Sequence, residues 1–386
     1  MPTSSSKSKP GHYVSDRIRP HVDKKEIAGA VVLVAKNGRI VEFDAIGYGD
    51  LKTKRPMKKS DLFWVASMTK PIVATAIMML SDEGKLSVDD LVAKHLPEFK
   101  DMWLITEKSD DRMVLSKSPV QPTLRHLLAH TDGLTDVPLP YAETPFAEWV
   151  NSVGRMPLQF QPGTKWVYNN SGLNTLGRIV EVVSGQSLSE FFQKRIFRPL
   201  KMKDTTFVLS QEQYKRLATY YKIVAEKKPL EPTSNIILHG KPTNKRLTIC
   251  PGGGLFSTAT DMFIFYQMLL DGGTRAGRRY LSKAAFKEMT TIQTGDIETG
   301  FTPGMSFGLG VGMVRKPVGT TGMLSPGTFG HGGAYGTQAW GDPTRKSLMI
   351  LMVHISGYQH KPEPGDFLFD FNTAVGKLVS GKKAAN

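Results

Sequence analysis

"GAVVLVAKNGRIVEFDAIGYGD", residues 29–50, alternates β-branched and small residues on both sides of Asn37-Gly38. That dipeptide accepts the positive φ of a two-residue turn, so the stretch reads as a β-hairpin. Near the other end, "AYGTQAWGDPTRKSLMILMVHI" (334–355) sets a Gly-Asp-Pro turn between two more strand-like runs, and "DFLFDFNTAVGKLV" (366–379) spaces its apolar residues as a helix does. Between these ends the pattern is helical, over 71–83, 123–130, 172–183 and 187–197, with Gly or Pro loops between the runs. Strands at both ends and helices between them predict an α/β (α+β) chain: one sheet domain assembled from both termini, with a largely helical domain inserted. The expected division is a disordered leader at 1–15, the sheet domain at 16–80 and 245–386, and the helical domain at 81–244.

The composition is globular, with 40% hydrophobic and 22% charged residues in 386. The longest uncharged apolar stretches, Pro71–Leu80 and Ser347–Ile355, fall short of the ~20 residues that span a bilayer. The opening MPTSSSKSKP is polar and lacks the apolar core of a secretory signal. The chain as given therefore reads as cytoplasmic, or as periplasmic or secreted if a signal peptide has been removed. One cysteine, Cys250, excludes an intrachain disulfide and supplies no cysteine pair for zinc. The net charge of +15 is uneven: residues 1–60 hold 13 Lys+Arg against 6 Asp+Glu, and residues 194–246 hold 13 against 4. No nucleic-acid motif and no basic stripe with interleaved aromatics accompanies the excess, so it reads as a solvated face and no nucleic-acid partner is expected.

Chemistry enters at "ASMTKPIVATAIMML" (66–80), where a serine and a lysine open an apolar helix. Ser-x-x-Lys occurs four times, but Ser4/Lys7, Ser6/Lys9 and Ser380/Lys383 lie in polar or basic tails. Only Ser67/Lys70 stands where burial could strip a lysine of its hydration. Three-residue spacing places both side chains on one helix face. Pro71 is best tolerated if the helix begins close to Ser67, which would set the hydroxyl at the positive end of the helix. A wall of Phe63, Trp64, Val65, Ile72 and Val73 would lower the pKa of Lys70 and let the neutral amine take the Ser67 proton. A serine cap with a snorkelling lysine is the alternative.

Two further motifs each occur once. Tyr168-Asn169-Asn170 lies on a loop entering a helix. A phenol beside an ammonium has its anion favoured and can relay a proton, and Asn170 can bond a substrate amide. His331-Gly332-Gly333 leads into a strand, and its glycines let backbone approach a ligand. The N–H groups of Ala334 and Ser67 are candidates for an oxyanion hole. Taken singly, Tyr168 could be a half-buried aromatic, Asn170 a helix cap and His331 a turn residue before an edge strand.

The three motifs, in this order and at wide spacing, resemble those of the penicillin-recognising serine hydrolases. The branch of class C β-lactamases, family VIII carboxylesterases, D-alanyl-D-alanine carboxypeptidases and D-aminopeptidases is most similar. "FWVASMTKPIVA", "TLRHLLAHTDGL", "PGTKWVYNNSGLNTLG" and "GGGLFSTATDM" support the likeness, which runs from about residue 16 to 380. The resemblance implies the β-lactamase/transpeptidase-like fold, an antiparallel sheet flanked by helices plus an inserted mostly helical domain, with the pocket at their junction. It implies Ser67 as acylated nucleophile, Lys70 as its activator and Tyr168 as general base or acid. Asn170, His331, Gly332, Gly333 and Ala334 would bind substrate, without metal or cofactor. Ser-Asp-Asn and Lys-Thr-Gly are absent. A histidine, mostly neutral at pH 7, in place of that lysine weakens the case for an efficient β-lactamase. The expected substrate is a small carboxylic ester, with β-lactams or D-amino-acid peptides next; the alternative is a D-amino-acid peptidase or penicillin-binding protein that acylates but deacylates slowly. Oligomeric state is left open.

Three other features compete. Gly304-Met305-Ser306-Phe307-Gly308 matches Gly-x-Ser-x-Gly, yet the chain continues as a Gly-rich, strand-like run where a nucleophile elbow needs a helix. His126 and His130 have metal-like spacing but no glutamate at Leu127, and read as core or helix-end residues. Cys250 has no paired base nearby and reads as a small buried residue.

Overall fold

Asn37 (φ 51°) and Gly38 (φ 74°) both take left-handed conformations. Strand β1 (Gly29–Lys36) therefore turns straight back onto β2 (Arg39–Asp50), as the dipeptide predicts. The computed structural model describes residues 12–138, 144–224, 229–235, 242–243, 249–300 and 302–381. Of the expected leader, residues 1–11 lie outside the described residues, whereas Tyr13–Asp23 form helix α1, so its last residues are helical. The domain boundary drawn at 244/245 also lies outside the described residues, as do Ser4/Lys7, Ser6/Lys9 and Lys383.

Six more strands complete the sheet: β3 (Arg55–Pro56), β4 (Met305–Phe307), β5 (Gly312–Val314), β6 (Phe329–Gly332), β7 (Gln338–Asp342) and β8 (Ser347–Met352). Their order is β4-β5-β6-β7-β8-β1-β2-β3, and every neighbouring pair is antiparallel. The first and last parts of the chain thus meet at the β8–β1 pair, where Val31 faces Met352 and Leu33 faces Ile350.

Between β3 and β4 the chain forms α2 (Lys70–Asp82), α3 (Leu124–Ala129), α4 (Phe146–Gly154), α5 (Ser171–Ser184), α6 (Leu188–Phe192), α7 (Ala259–Leu270) and α8 (Lys283–Met289). A two-stranded hairpin, Trp103–Lys108 with Met113–Lys117, interrupts them. Helix α9 (Phe367–Ser380) ends the described chain.

The two-residue period of β1 decides what each face of the sheet packs against. Val31, Leu33 and Ala35 join the large core with α2, α5 and α7; Ala30, Val32 and Val34 join a second core with Val14 and Ile18 of α1 and Phe367, Phe371 and Val375 of α9. Helix α2 is apolar on all sides and buried from Lys70 to Leu80, as expected of an interior helix. Burial of each large aliphatic side chain there contributes about 1.5–3 kcal/mol. Lys70 is the sole charged residue in that span, so its burial needs a separate account. Among the described residues, no helix is long and apolar enough to cross a membrane.

Candidate active site

Ser67 lies on a 3-10 turn, Ala66–Thr69, that runs directly into α2. Pro71 falls in the first helical turn, where its missing N–H is not needed. Ala66 adopts φ 46° although it is not glycine, a conformation that costs of order 1–3 kcal/mol and persists only when its surroundings fix it. Those surroundings are the 250–255 segment. The Trp64 indole N–H donates to Gly253 O (2.5 Å), Val65 N–H to Leu255 O (3.0 Å), and Leu255 N–H to Thr69 Oγ1 (3.2 Å). The Thr69 hydroxyl in turn donates to Ala66 O (2.6 Å).

Phe63, Trp64, Val65, Ile72 and Val73 are fully buried as the sequence predicts, but the atoms that hold the Lys70 amine are polar. Nζ lies 2.5 Å from Gly252 O, 2.8 Å from Asn170 Oδ1 and 3.2 Å from Ser67 Oγ. Burial lowers its pKa to about 7, against weaker opposing pulls from Cys250 and Asp136. A neutral amine has two N–H bonds. With both directed at the carbonyl-type oxygens of Gly252 and Asn170, which can only accept, the lone pair is left for Ser67.

Tyr168 completes the contact, its hydroxyl donating to Ser67 Oγ at 2.7 Å. The expectation of a favoured phenolate fails. Burial of the phenol pushes its pKa well above the ordinary range, despite the Ser67 hydrogen bond. The Lys70 amine sits over the face of the ring, 4.6 Å from its centroid, and with its own pKa lowered to about 7 it is only partly charged near neutral pH. Tyr168 is therefore a neutral donor near pH 7. His130 packs against it with ring centroids 4.4 Å apart.

Asn170 precedes α5, but its side chain makes no cap bond; Asp136 Oδ1 accepts from the N–H groups of Asn170 and Ser171 instead (2.9 and 3.0 Å). The Asn170 side chain is thereby free to hold Lys70. His331 and Gly332 are the last residues of β6, an interior strand between β5 and β7 and not an edge. The His331 Nδ1 lies 2.7 Å from Gly332 O, and a carbonyl only accepts, so Nδ1 carries the proton and Nε2 is a bare acceptor. Burial and the nearby Lys70 lower the His331 pKa to about 3, leaving a neutral ring. Gly333 allows the following turn to press on the Ser67 turn: a Cβ there would meet Val65 O at 2.6 Å and push on Thr337 Oγ1. Ala334 lines the same cavity as Ser67.

Other groups around this centre were not evident from the sequence. Gly252 N–H donates to Asn174 Oδ1 (2.6 Å), which fixes the carbonyl that holds Lys70. Asp132 accepts from Asn169 Nδ2 (3.1 Å) beneath Tyr168, and burial raises its pKa to about 7. The "PGGG" and "HTDG" stretches were visible, but nothing in them marks which atom would face the lysine. Ser306 is buried within β4, opposite Met313, with strand β5 next, so no nucleophile elbow exists there. His130 ends α3 in a left-handed conformation, and His126 Nδ1 accepts from Thr123 N–H at the other end. Cys250 is buried, its thiol pushed up to about 12. Among the described residues, no cluster of three or more His, Cys, Asp or Glu could hold a metal ion.

The Beta-lactamase family profile matches residues 14–370. The chain belongs to the beta-lactamase family. It is a serine hydrolase, and the bond it opens is an ester or an amide. Protein Rv1367c of Mycobacterium tuberculosis is 30% identical over 370 residues, spanning 90% of this chain and 89% of that protein. Esterase EstB of Burkholderia gladioli is 27% identical over 370 residues, spanning 88% and 89%. In fold, the chain matches EstCE1, described as a hydrolase with promiscuous acyltransferase activity, with a TM-score of 0.79 at 23% identity over 95% of this chain and 99% of the other.

Within this beta-lactamase family fold, Ser67, Tyr168 and His331 open onto a cavity of ≈ 530 Å³, a size typical of small-molecule sites. Met305, Phe307, Leu324, Trp340 and Leu368 supply much of its apolar wall. Among the described residues that line it there is no lysine or arginine.

Proposed function

We propose that the chain hydrolyses carboxylic esters through an acyl-enzyme on Ser67. The observation that supports this most directly is the placement of one hydroxyl between a phenol donor at 2.7 Å and an amine, at 3.2 Å, whose own N–H bonds are directed elsewhere. Ser67 Oγ attacks the carbonyl carbon while its proton passes to Lys70. The oxyanion forms against the N–H groups of Ser67 and Ala334, donors worth about 3 kcal/mol each in comparable sites. The carbon–alkoxide bond breaks as Tyr168 gives its proton to the departing oxygen, and the lysine's proton restores the phenol. Water then repeats these steps on the acyl-enzyme and releases the acid. Asn170 orients the lysine through Oδ1, which leaves its amide N–H groups for the acyl side of the substrate.

The choice of ester rests on charge. A β-lactam or a D-peptide brings a carboxylate, which needs a cationic partner when drawn out of water. His331 is a neutral ring with Nε2 buried, the other histidine of the described lining, His360, already faces Asp366 (3.2 Å), and that lining holds no lysine or arginine. An ester brings no such charge, so p-nitrophenyl butyrate should turn over at least about 10²-fold faster in kcat/KM than nitrocefin or a D-alanyl peptide, a difference of about 2.7 kcal/mol that falls within the cost of leaving a buried charge unpaired. Intact-mass analysis during turnover checks the covalent step: a transient acyl adduct on Ser67 is expected, whereas an adduct that persists for hours would mark a slow-deacylating penicillin-binding protein instead.

Tyr168→Phe keeps the ring and its contact with His130 but removes the proton that this reading hands to the leaving alkoxide. We expect its acylation rate to fall by about 10²-fold or more, as read from the pre-steady-state burst. An unchanged burst would remove Tyr168 from the proton path.

A further inference from the structure

The cavity does not end at Ser67. It passes the Gly332–Gly333 segment at the end of β6 and continues between the sheet and α9, where Trp340, Met305, Leu324 and Leu368 border it. Two features make this inner part apolar.

The first is the disposition of Trp340. Gly312, Gly330 and Trp340 stand side by side on β5, β6 and β7. A Cβ on Gly330 would meet Trp340 Cε3 at 2.8 Å, and one on Gly312 would meet Cη2 at 3.4 Å. The indole thus lies over two glycines, and Gly312 itself lines the cavity where a larger residue would narrow it.

The second is that the polar side chains beside Trp340 are already engaged with one another or with backbone. Trp340 Nε1–H donates to Gln338 Oε1 (2.8 Å), Gln338 Nε2 to Asn372 Oδ1 (3.4 Å), and Asn372 Nδ2 to Thr320 O (2.8 Å). Thr321 Oγ1 donates to Val318 O (2.9 Å) and Thr299 Oγ1 to Met305 O (2.6 Å). A polar group placed beside Trp340 would have to break this relay to be satisfied there, whereas a hydrocarbon chain can lie along it and leave it intact.

We propose that this inner part is a channel for the extended apolar chain of an ester substrate, with Leu368 on the first turn of α9 at its far wall. The inference rests on the ester-hydrolase reading and adds the substrate class. The chain can belong to the acid or to the alcohol, and two series separate these: p-nitrophenyl acetate, butyrate, octanoate and laurate, and methyl, butyl and octyl acetates.

In one series kcat/KM should rise by about two- to fourfold for each methylene that enters the channel, the equivalent of its transfer from water. Leu368→Trp should lower kcat/KM for the octanoate or octyl ester at least tenfold more than it lowers that for p-nitrophenyl acetate. Leu368→Ala should move the optimum to a longer chain, and keeps the test open if the bulkier residue disturbs α9. Ser67-dependent hydrolysis of the acetate with a flat or falling profile in both series overturns the channel and leaves the hydrolase standing. So does a Leu368→Trp variant that slows short and long esters equally. Acetate hydrolysis that survives Ser67→Ala overturns the hydrolase, and the channel with it.

Discussion

Ser67→Ala is expected to remove ester turnover by about 10⁴-fold or more in kcat, the scale on which hydrolases lose activity when their nucleophile is deleted. The substitution takes away the atom on which the Tyr168 hydroxyl and the Lys70 amine converge, and it leaves the cavity that would hold the substrate in place. KM should therefore change far less than kcat. Ser306→Ala is the control, because Ser306 is buried in the β4–β5 ladder and should leave turnover within about twofold of wild type, a change of under half a kcal/mol in barrier. Purified variants assayed on p-nitrophenyl butyrate decide the matter. If Ser306→Ala were the inactive protein and Ser67→Ala the active one, catalysis would have to occur away from the Ser67–Lys70–Tyr168 centre.

Much of this architecture was written in local patterns. The Asn37-Gly38 turn, the Gly-Asp-Pro turn before β8 and the helical spacing of α9 each depend on a few neighbouring residues, and all three form as those residues predict. The start of α2 was equally legible, because Pro71 restricts where a helix can begin. Ser67, Lys70 and Tyr168 could be named because each sits in a short motif, and the structure brings the three side chains together.

What the sequence did not yield are properties set by distant atoms. Whether Tyr168 is phenol or phenolate depends on how deeply the fold encloses it, and burial outweighs the nearby amine. Gly252 contributes a backbone carbonyl, which any residue carries, so no side-chain pattern could mark it as the lysine's acceptor. Asp136 replaces Asn170 as the cap of α5 from 34 residues away, a substitution visible only once the loop is folded. The alternative for His331, a turn residue before an edge strand, could not be dismissed locally, because β4 and β5, which make β6 an interior strand, are paired only in the folded sheet.

Lys70→Met should separate function from stability in one protein. Activity should fall by about 10³-fold, within the range that a positioned general base supplies, since methionine fills the space but accepts no proton. In wild type, kcat/KM should climb with pH through about 7, because only the neutral amine can take the Ser67 proton; the variant should lack that limb. The same shift acts on folding with a definite sign. In the unfolded chain the lysine holds its proton up to about 10.5, whereas in the folded protein it releases it above about 7. Between those values the unfolded state binds more protons, so wild-type stability rises with pH, and below about 7 the full penalty is felt. Methionine carries no such penalty, although it strands Gly252 O and Asn170 Oδ1 at a cost that does not vary with pH. The variant's stability relative to wild type should therefore be better at pH 7 than at pH 9.5 by about 3 kcal/mol, since one proton contributes about 1.36 kcal/mol for each pH unit between the folded and unfolded values. Urea midpoints at the two pH values measure this difference, and the other titrating groups cancel in the comparison. A difference that stays constant with pH would mean that Lys70 keeps its proton on folding, and a charged amine could not serve as the base that opens the reaction.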